Sequence, residues 1–259
     1  MTTASAQEVA AHSPEPGQPI VAPALAGLDA TTTAELAGSE LPRRISSGAA
    51  IRIFDVVVAA SLLVVLLPLI ALLVIAVRLE SPGPAFFRCD RVGYRGRRLR
   101  MLKLRKMRDG ARGPSLTAGE DARFTRIGGL LATLKIDEIP QLFHVLRGSM
   151  SLVGPRPETA EFVGLHPQDY AEILSVPPGI TGLSQIAFFD ERRILDPDDP
   201  WGYYTGRILP QKVTLDMMYV SRRSLSFNLR ILYWTAASVL LRCQVAVHRD
   251  SGKMGIRRR

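Results

Sequence analysis

Residues 56–77 form a run of 22 positions without a charged side chain, closed by Asp55 on one side and Arg78 on the other. At about 1.5 Å per residue, a straight helix of that length would cross a hydrocarbon core of about 30 Å. Two features argue against a simple crossing. Pro68, near the middle of the run, removes a backbone donor and clashes with the preceding turn, which predicts a kink or break there. Arg43, Arg44 and Arg52 precede the run and Arg78, Arg88 and Arg91 follow it, and basic flanks are retained on the cytoplasmic side of a membrane. A single crossing cannot keep both flanks there. A helix that enters, breaks at Pro68 and returns to the same face can, with the freed backbone groups met by Ser61 or by packing within the protein. A kinked single-pass anchor is the other geometry open to this run.

The chain beyond its first segment is strongly basic. The five acids of residues 1–42, which contain no Lys or Arg, bring a remainder of +14 down to the net +9 of the 259 residues. Such an excess implies an anionic partner, either phosphates or an acidic membrane face. Nucleic acid is the generic alternative, but no aromatic-interleaved basic strand or recognition-helix pattern is present, so none is expected. Cys89 and Cys243 lack CxxC spacing, which excludes a zinc or disulfide framework and suits a reducing cytoplasm. Residues 1–42 are rich in Ala, Pro, Thr and Gly without periodicity and read as a disordered tail that is not a signal peptide.

After a tight exit at Ser81-Pro82-Gly83-Pro84, residues 85–92 and 97–107 read as a β-hairpin about a Gly-bearing turn. Its second strand places Leu102 and Leu104 on one face and Lys103 with Arg105 on the other, either a phosphate cradle or a solvated face. Residues 121–134 carry apolar side chains at helical spacing and predict an amphipathic helix lying on the bilayer. Asp137 and Glu138 then stand ahead of a short apolar helix, where Asp137 fits an N-cap and Pro140 the first turn. Acids at that end also stabilise the helix dipole without any further role. Arg156, held between Pro155 and Pro157, offers a planar fork suited to phosphate. Residues 158–165 and 169–174 read as short helices. Pro178-Gly179-Ile180-Thr181-Gly182 reads as a turn whose glycines let backbone N–H groups approach a phosphate. Residues 188–210 read as an irregular lid or specificity loop with Tyr203 and Tyr204, and residues 213–220 and 226–241 as helices. Tyr233 and Trp234 would rest at the lipid interface or in a core. His144, among apolar neighbours, reads as a packed or surface histidine.

Several pieces follow one another in an order that resembles a known family. They are Arg52-Ile53-Phe54-Asp55, Ser81-Pro82-Gly83-Pro84-Ala85-Phe86-Phe87-Arg88, and Lys103-Leu104-Arg105-Lys106-Met107. Asp137-Glu138-Ile139-Pro140-Gln141-Leu142, Ser151-Leu152-Val153-Gly154-Pro155-Arg156-Pro157 and Pro178-Gly179-Ile180-Thr181-Gly182 complete the set. Together they resemble the bacterial sugar transferases called monotopic phosphoglycosyl transferases, over roughly residues 52–245. The resemblance implies a mostly helical α+β monotopic membrane protein with a re-entrant N-terminal helix broken at Pro68, a β-hairpin and amphipathic interfacial helices. The expected organisation is a disordered tail over 1–42, the re-entrant helix over 43–80, a cytoplasmic-face catalytic domain over 81–245 and a basic tail over 246–259. It places the protein at the bacterial inner (cytoplasmic) membrane, in contact with lipid, and leaves a homodimer open.

The activity implied is transfer of a sugar 1-phosphate from a nucleotide sugar, with UDP, to a polyprenyl (undecaprenyl) phosphate. That step starts an exopolysaccharide, O-antigen or glycoprotein glycan. Carried over residue by residue, Asp137 is the nucleophile and Glu138 handles metal or proton, the pair sharing Mg2+. Lys103, Arg105, Arg156, Gly179, Thr181 and Gln185 are the substrate and phosphate ligands. The chain departs from the family at Pro177, where Arg is usual, at Ala187-Phe188-Phe189-Asp190, which replaces Asn-Gly-Arg, and at Asn228, where Asp is usual. Longer relatives carry extra transmembrane helices ahead of this core, to which nothing in residues 1–42 corresponds. The rival readings are a non-catalytic membrane adaptor whose acids only cap a helix, and a membrane-tethered nucleic-acid binder.

Overall fold

The computed structural model describes residues 45–111, 113, 116, 121–241, 243–248 and 251–256. The expected disordered tail, residues 1–42, lies outside the described residues. The fold is mostly helical with short strands, compatible with the expected α+β class. Helix α1 (Ile45–Glu80) leads into a hairpin of β1 (Phe86–Val92) and β2 (Arg98–Leu104). Then come α2 (Arg126–Leu134), a 3₁₀ turn (Ile136–Gln141), α3 (Leu142–Arg147) and β3 (Ser151–Val153). Next are α4 (Ala160–Leu165), α5 (Pro167–Ile173), β4 (Gly179–Thr181) and α6 (Leu183–Ala187). The chain continues through α7 (Glu191–Ile194), α8 (Pro200–Tyr203), a π turn (Tyr204–Ile208) and α9 (Leu209–Arg222). It closes with α10 (Leu225–Leu240), β5 (Val245–Val247) and β6 (Met254–Ile256).

Helix α1 runs unbroken for 36 residues with Pro68 inside it. The break expected at Pro68 is therefore corrected, since the long apolar helix continues past the single lost donor, while a bend within a continuous helix, the kink also expected there, is compatible with it. Nor does Ser61 rescue the carbonyl that proline frees, since its hydroxyl donates to Val57 O, one turn back at 2.9 Å. Ile51, Asp55, Ala59, Leu63, Ile70 and Val77 are buried, and their spacings of four and seven put them on one face of the helix. The other faces stay apolar and uncovered, with Val64 76% exposed and Leu79 82%. A helix apolar all round, packed on protein along one stripe, leaves the rest of its surface for lipid. By length and composition residues 48–80 suffice to cross a membrane.

Both ends of α1 are pinned to the same body. Near its start, Arg52 donates to Val145 O and Leu146 O at the end of α3 (2.5 and 2.8 Å). Buried Asp55 accepts from Ser151 Oγ at 2.6 Å and Leu152 N at 3.3 Å. At its far end, Glu80 accepts from Ile127 N in the first turn of α2 (3.0 Å). Arg105 donates to Pro82 O at 2.5 Å, Ser81 O at 2.6 Å, Ser81 Oγ at 2.9 Å and Val77 O at 3.3 Å. Arg105 is thus a clamp on the carbonyls that a helix end leaves unpaired; both its terminal nitrogens, expected to meet a phosphate beside Lys103, are engaged there, and only Nε keeps no partner.

The hairpin follows the expected pairing, from Phe86 opposite Leu104 to Val92 opposite Arg98. Lys103, however, shares its face with buried Leu99 and Met101 and so points inward. Residues 188–210, expected to be irregular, are largely short helices, with Tyr204 fully in the core. Residues 245–247 and 254–256, of which all but Val245 fall in the expected basic tail, pair as antiparallel strands. Expected helices over 158–165, 169–174, 213–220 and 226–241 correspond to α4, α5, α9 and α10.

Replacing Arg105 by Met removes several charge-assisted hydrogen bonds at a buried position and is expected to cost about 3 kcal/mol or more. Thermal unfolding in detergent should register that loss, while the folded fraction keeps its affinity for nucleotide.

Candidate active site

The 3₁₀ turn carrying the acidic pair begins at Lys135, which adopts left-handed backbone geometry (φ 59°, ψ 18°). For a residue with a Cβ this conformation costs about 1 kcal/mol. It both ends α2, with Lys135 N–H on Leu131 O, and turns the chain directly into Asp137 and Glu138. Asp137 is 1% exposed, and neither carboxylate oxygen has a hydrogen-bond partner. Its N-cap role is therefore corrected: it accepts nothing from the backbone, and Lys135 occupies the cap position. Lys106 Nζ lies 3.3 Å from Asp137 Oδ2, a close charge without hydrogen-bond alignment. Gly128 makes that approach fit, since a Cβ there would lie 1.9 Å from Lys106 O.

Glu138 is held differently. Lys103 Nζ donates to its Oε1 at 2.8 Å and Arg156 Nη2 donates to the same oxygen at 3.2 Å. Burial pushes the Glu138 carboxyl up, but the charges of Arg156, Lys103 and Lys135 outweigh it and hold the group well below the usual carboxylate range. Burial lowers the pKa of Lys106, an effect Asp137 partly offsets, and burial together with the Arg156 charge lowers that of Lys135. Glu138 in turn pushes the Arg156 guanidinium up. Four cations (Lys103, Lys106, Lys135 and Arg156) thus act on the two carboxylates, while Glu158 and Glu191 also act on Arg156.

The loop bearing Arg156 is fixed by the parallel pair of β3 and β4. Gly154 N donates to Thr181 O and Gly179 N to Pro155 O, each at 2.9 Å. A Cβ on Gly179 would lie 2.0 Å from Gly154 N, so glycine is required by backbone packing. The N–H expected to meet a phosphate is already used, and Thr181 Oγ1 is paired with Thr235 Oγ1 at 2.7 Å. Gly179 and Thr181 hold the Arg156 loop in place. Gln185 keeps a buried Nε2 without a partner, as does Gln141 at the end of the 3₁₀ turn, so both retain a free donor. His144 is packed as expected: Leu102 N donates to its Nε2 at 3.1 Å, and burial lowers its pKa.

The chain that carries this acidic pair matches the family profile described as bacterial sugar transferase over residues 46–242. The chain belongs to the bacterial sugar transferase family. As a member it is a transferase. A UDP-glucose:undecaprenyl-phosphate glucose-1-phosphate transferase of Caulobacter vibrioides is 38% identical over 208 residues, covering 78% of this chain and 74% of the relative. An exopolysaccharide production protein of Rhizobium leguminosarum is 32% identical over 203 residues, covering 74% and 95%. An undecaprenyl-phosphate N-acetylgalactosaminephosphotransferase of Aeromonas hydrophila, acting with UDP-N-acetylgalactosamine by its name, is 34% identical over 191 residues. That match covers 72% of this chain and 42% of the relative.

Close to Arg156 the transferase buries a polar network that sequence reasoning missed. Tyr204 OH donates to Glu158 Oε1 at 3.2 Å, and Lys212 Nζ donates to Tyr204 OH at 3.0 Å. Lys212 also lies 2.5 Å from Glu191 Oε2 and 3.6 Å from Glu158 Oε1. Asp216, one turn along α9, accepts from Ser184 Oγ at 2.7 Å. The i, i+4 spacing of Lys212 and Asp216 was the available signal, and such a spacing by itself does not distinguish a buried pair from a solvated one. Lys106 and Lys135 were missed as well, since one lies past the strand's alternation and the other at a helix end.

Burial pushes the Asp216 carboxyl up to about 7, against the opposing hydrogen bond from Ser184. Between the unfolded value near 3.8 and that level, the folded chain holds a proton the unfolded chain has released, so stability falls as pH rises through the window. Asp216→Asn should flatten the pH dependence of the thermal midpoint there and stabilise the protein at pH 8 by on the order of 3 kcal/mol.

Proposed function

We propose that the chain transfers a sugar 1-phosphate from a UDP-sugar to undecaprenyl phosphate or a similar polyprenyl phosphate, the opening step of a lipid-linked glycan such as an exopolysaccharide. The observation that carries this reading is the buried Asp137 carboxylate, free of hydrogen bonds and acted on by the charges of Lys106 and Lys135. In the first step an Asp137 oxygen attacks the sugar-bearing phosphorus. The bond to the bridging oxygen breaks, and its electron pair leaves with the nucleoside monophosphate. In the second, a phosphate oxygen of the polyprenyl phosphate attacks the phosphoryl-aspartate, and the Asp137 carboxylate is released unchanged. Lys106 holds the nucleophile's charge, while Lys103, Lys135 and Arg156 face the charge of the diphosphate.

Mg2+ is the cofactor the chemistry favours. The oxygens of Asp137, which accept no hydrogen bond and meet only the Lys106 ammonium, fit an ion that prefers few carboxylates plus phosphate and water, whereas Glu138, taken by Lys103 and Arg156, does not fit as a ligand. When bound, such an ion screens an attacking anion from an anionic substrate. Glu138 serves as the anchor that aims Lys103 and Arg156.

The attachment of both α1 ends to one body supports a re-entrant seat, with both flanks on the cytoplasmic face of the inner membrane. A straight crossing would separate Asp55 from residue 81, about 39 Å along the axis, onto opposite faces, so the re-entrant seat takes the helix as bent at Pro68 without interruption. The adaptor reading needs the acids to cap a helix, and the unpaired Asp137 oxygens do not support it.

Full-length protein in detergent, given a panel of UDP-sugars, undecaprenyl phosphate and Mg2+, should release UMP with double-displacement kinetics. A folded Asp137→Asn variant should lose on the order of 10⁴-fold in turnover. Quenched single-turnover mass spectrometry should find a sugar-phosphate adduct on Asp137 in the wild type. Full turnover by the variant would overturn the mechanism.

A further inference from the structure

We infer that Lys212 is a positioning residue for the transfer reaction, which keeps Arg156 on Glu138 by neutralising the two other carboxylates that act on it; the inference rests on the function proposed above.

Arg156 interacts with two sets of acids. It donates to Glu138 Oε1 at 3.2 Å. The charges of Glu158, two residues along the chain, and of Glu191 also act on it. What occupies those two acids is Lys212, 4% exposed, at 2.5 Å from Glu191 and 3.6 Å from Glu158. Tyr204 closes the group by accepting from Lys212 and donating to Glu158. One buried ammonium therefore serves two carboxylates. A buried carboxylate that loses its cation is a large electrostatic debit in a weakly screened interior, and the charge that already reaches both acids is Arg156. Without Lys212 the guanidinium is drawn back toward Glu158, and the face turned to the substrate diphosphate loses a cation.

The same lysine also seats the segment that walls the site. Glu191 opens α7, and within two residues of it Phe189 lies under Lys135 (5.5 Å to the ring centroid) while Arg192 lies over Phe124 (5.4 Å). Lys212 therefore acts on Arg156 and on the wall beside Lys135, without touching the reacting atoms itself.

A lysine that only filled the core and one that sets the charge on Arg156 differ in what a second substitution does. In the charge-setting case, removing the anion left unpaired relieves the defect; in the packing case the two losses add. The test uses full-length protein in detergent with undecaprenyl phosphate, Mg2+ and whichever of UDP-glucose or UDP-N-acetylgalactosamine the wild type turns over. UMP release and the thermal midpoint are both read. Lys212→Met should lower kcat/KM by roughly tenfold or more, and Glu158→Gln added to it should recover at least about fivefold of that. If Lys212→Met alone does not fold, the double variant should fold and work within about tenfold of the wild type. A folded Lys212→Met with wild-type kcat/KM, or a folded double variant no better than the single, overturns the inference. So does failure of both variants to fold, which would assign the lysine to stability alone. A wild type that releases no UMP with any donor fails the proposed function instead, before any variant is compared.

Discussion

Lys103 and Arg156 meet on a single oxygen of Glu138, and that shared acceptor joins β2, the 3₁₀ turn and the Gly154–Pro157 loop at one point. Three segments far apart in sequence are registered by it. The consequence for the neighbouring acid is direct: with Glu138 engaged, Asp137 is left as the carboxylate whose oxygens accept nothing. Two adjacent acids therefore have different jobs because their surroundings differ, one bound as an anchor and one kept available. Leaving a buried anion without hydrogen bonds costs stability, and such costs persist where a ligand is to supply the missing partner.

The membrane helix and the site are mechanically one unit. Val77, near the end of α1, packs with Ala85, Leu104 and Leu131, and Ile136 lies against that cluster. Ile136 is the residue before Asp137. Arg105, which grips the carbonyls at the helix exit, lies between Leu104 and Lys106 in the chain and so couples the same exit to the cation beside Asp137.

Much of this was legible in the sequence, and the failures have physical reasons. Charge-free residues 56–77, the hairpin, the short helices and the pairing of Asp137–Glu138 with Lys103 and Arg156 were all open to pattern reading. The engagement of Arg105 with the exit of α1 was not legible, because no local pattern shows which carbonyls a helix end more than twenty residues earlier will bring to it. Gly179 was misread because a glycine needed for backbone packing looks, in sequence, like a glycine needed for a ligand. The unbroken helix at Pro68 reflects how far a long apolar helix tolerates one missing donor. The Glu158–Lys212–Glu191 group had no chance of being seen, since its members come from three elements separated by loops and no local period relates them.

In the function proposed above, the charge of the site bears on why a covalent route suits it. Both substrates of such a reaction are anions, and a diphosphate diester alone carries about two negative charges near neutral pH. Lys103, Lys106, Lys135 and Arg156 stand against Asp137 and Glu138, while Glu158 and Glu191 also act on Arg156, so these cations are already shared among several acids before any substrate binds. Direct transfer would bring the donor diphosphate and the polyprenyl phosphate into that site together, adding their mutual repulsion. Holding the sugar phosphate on Asp137 would let the nucleotide leave first, carrying its charge away before the lipid phosphate arrives. The cations around the acidic pair and an aspartate that accepts no hydrogen bond are two parts of that one reading.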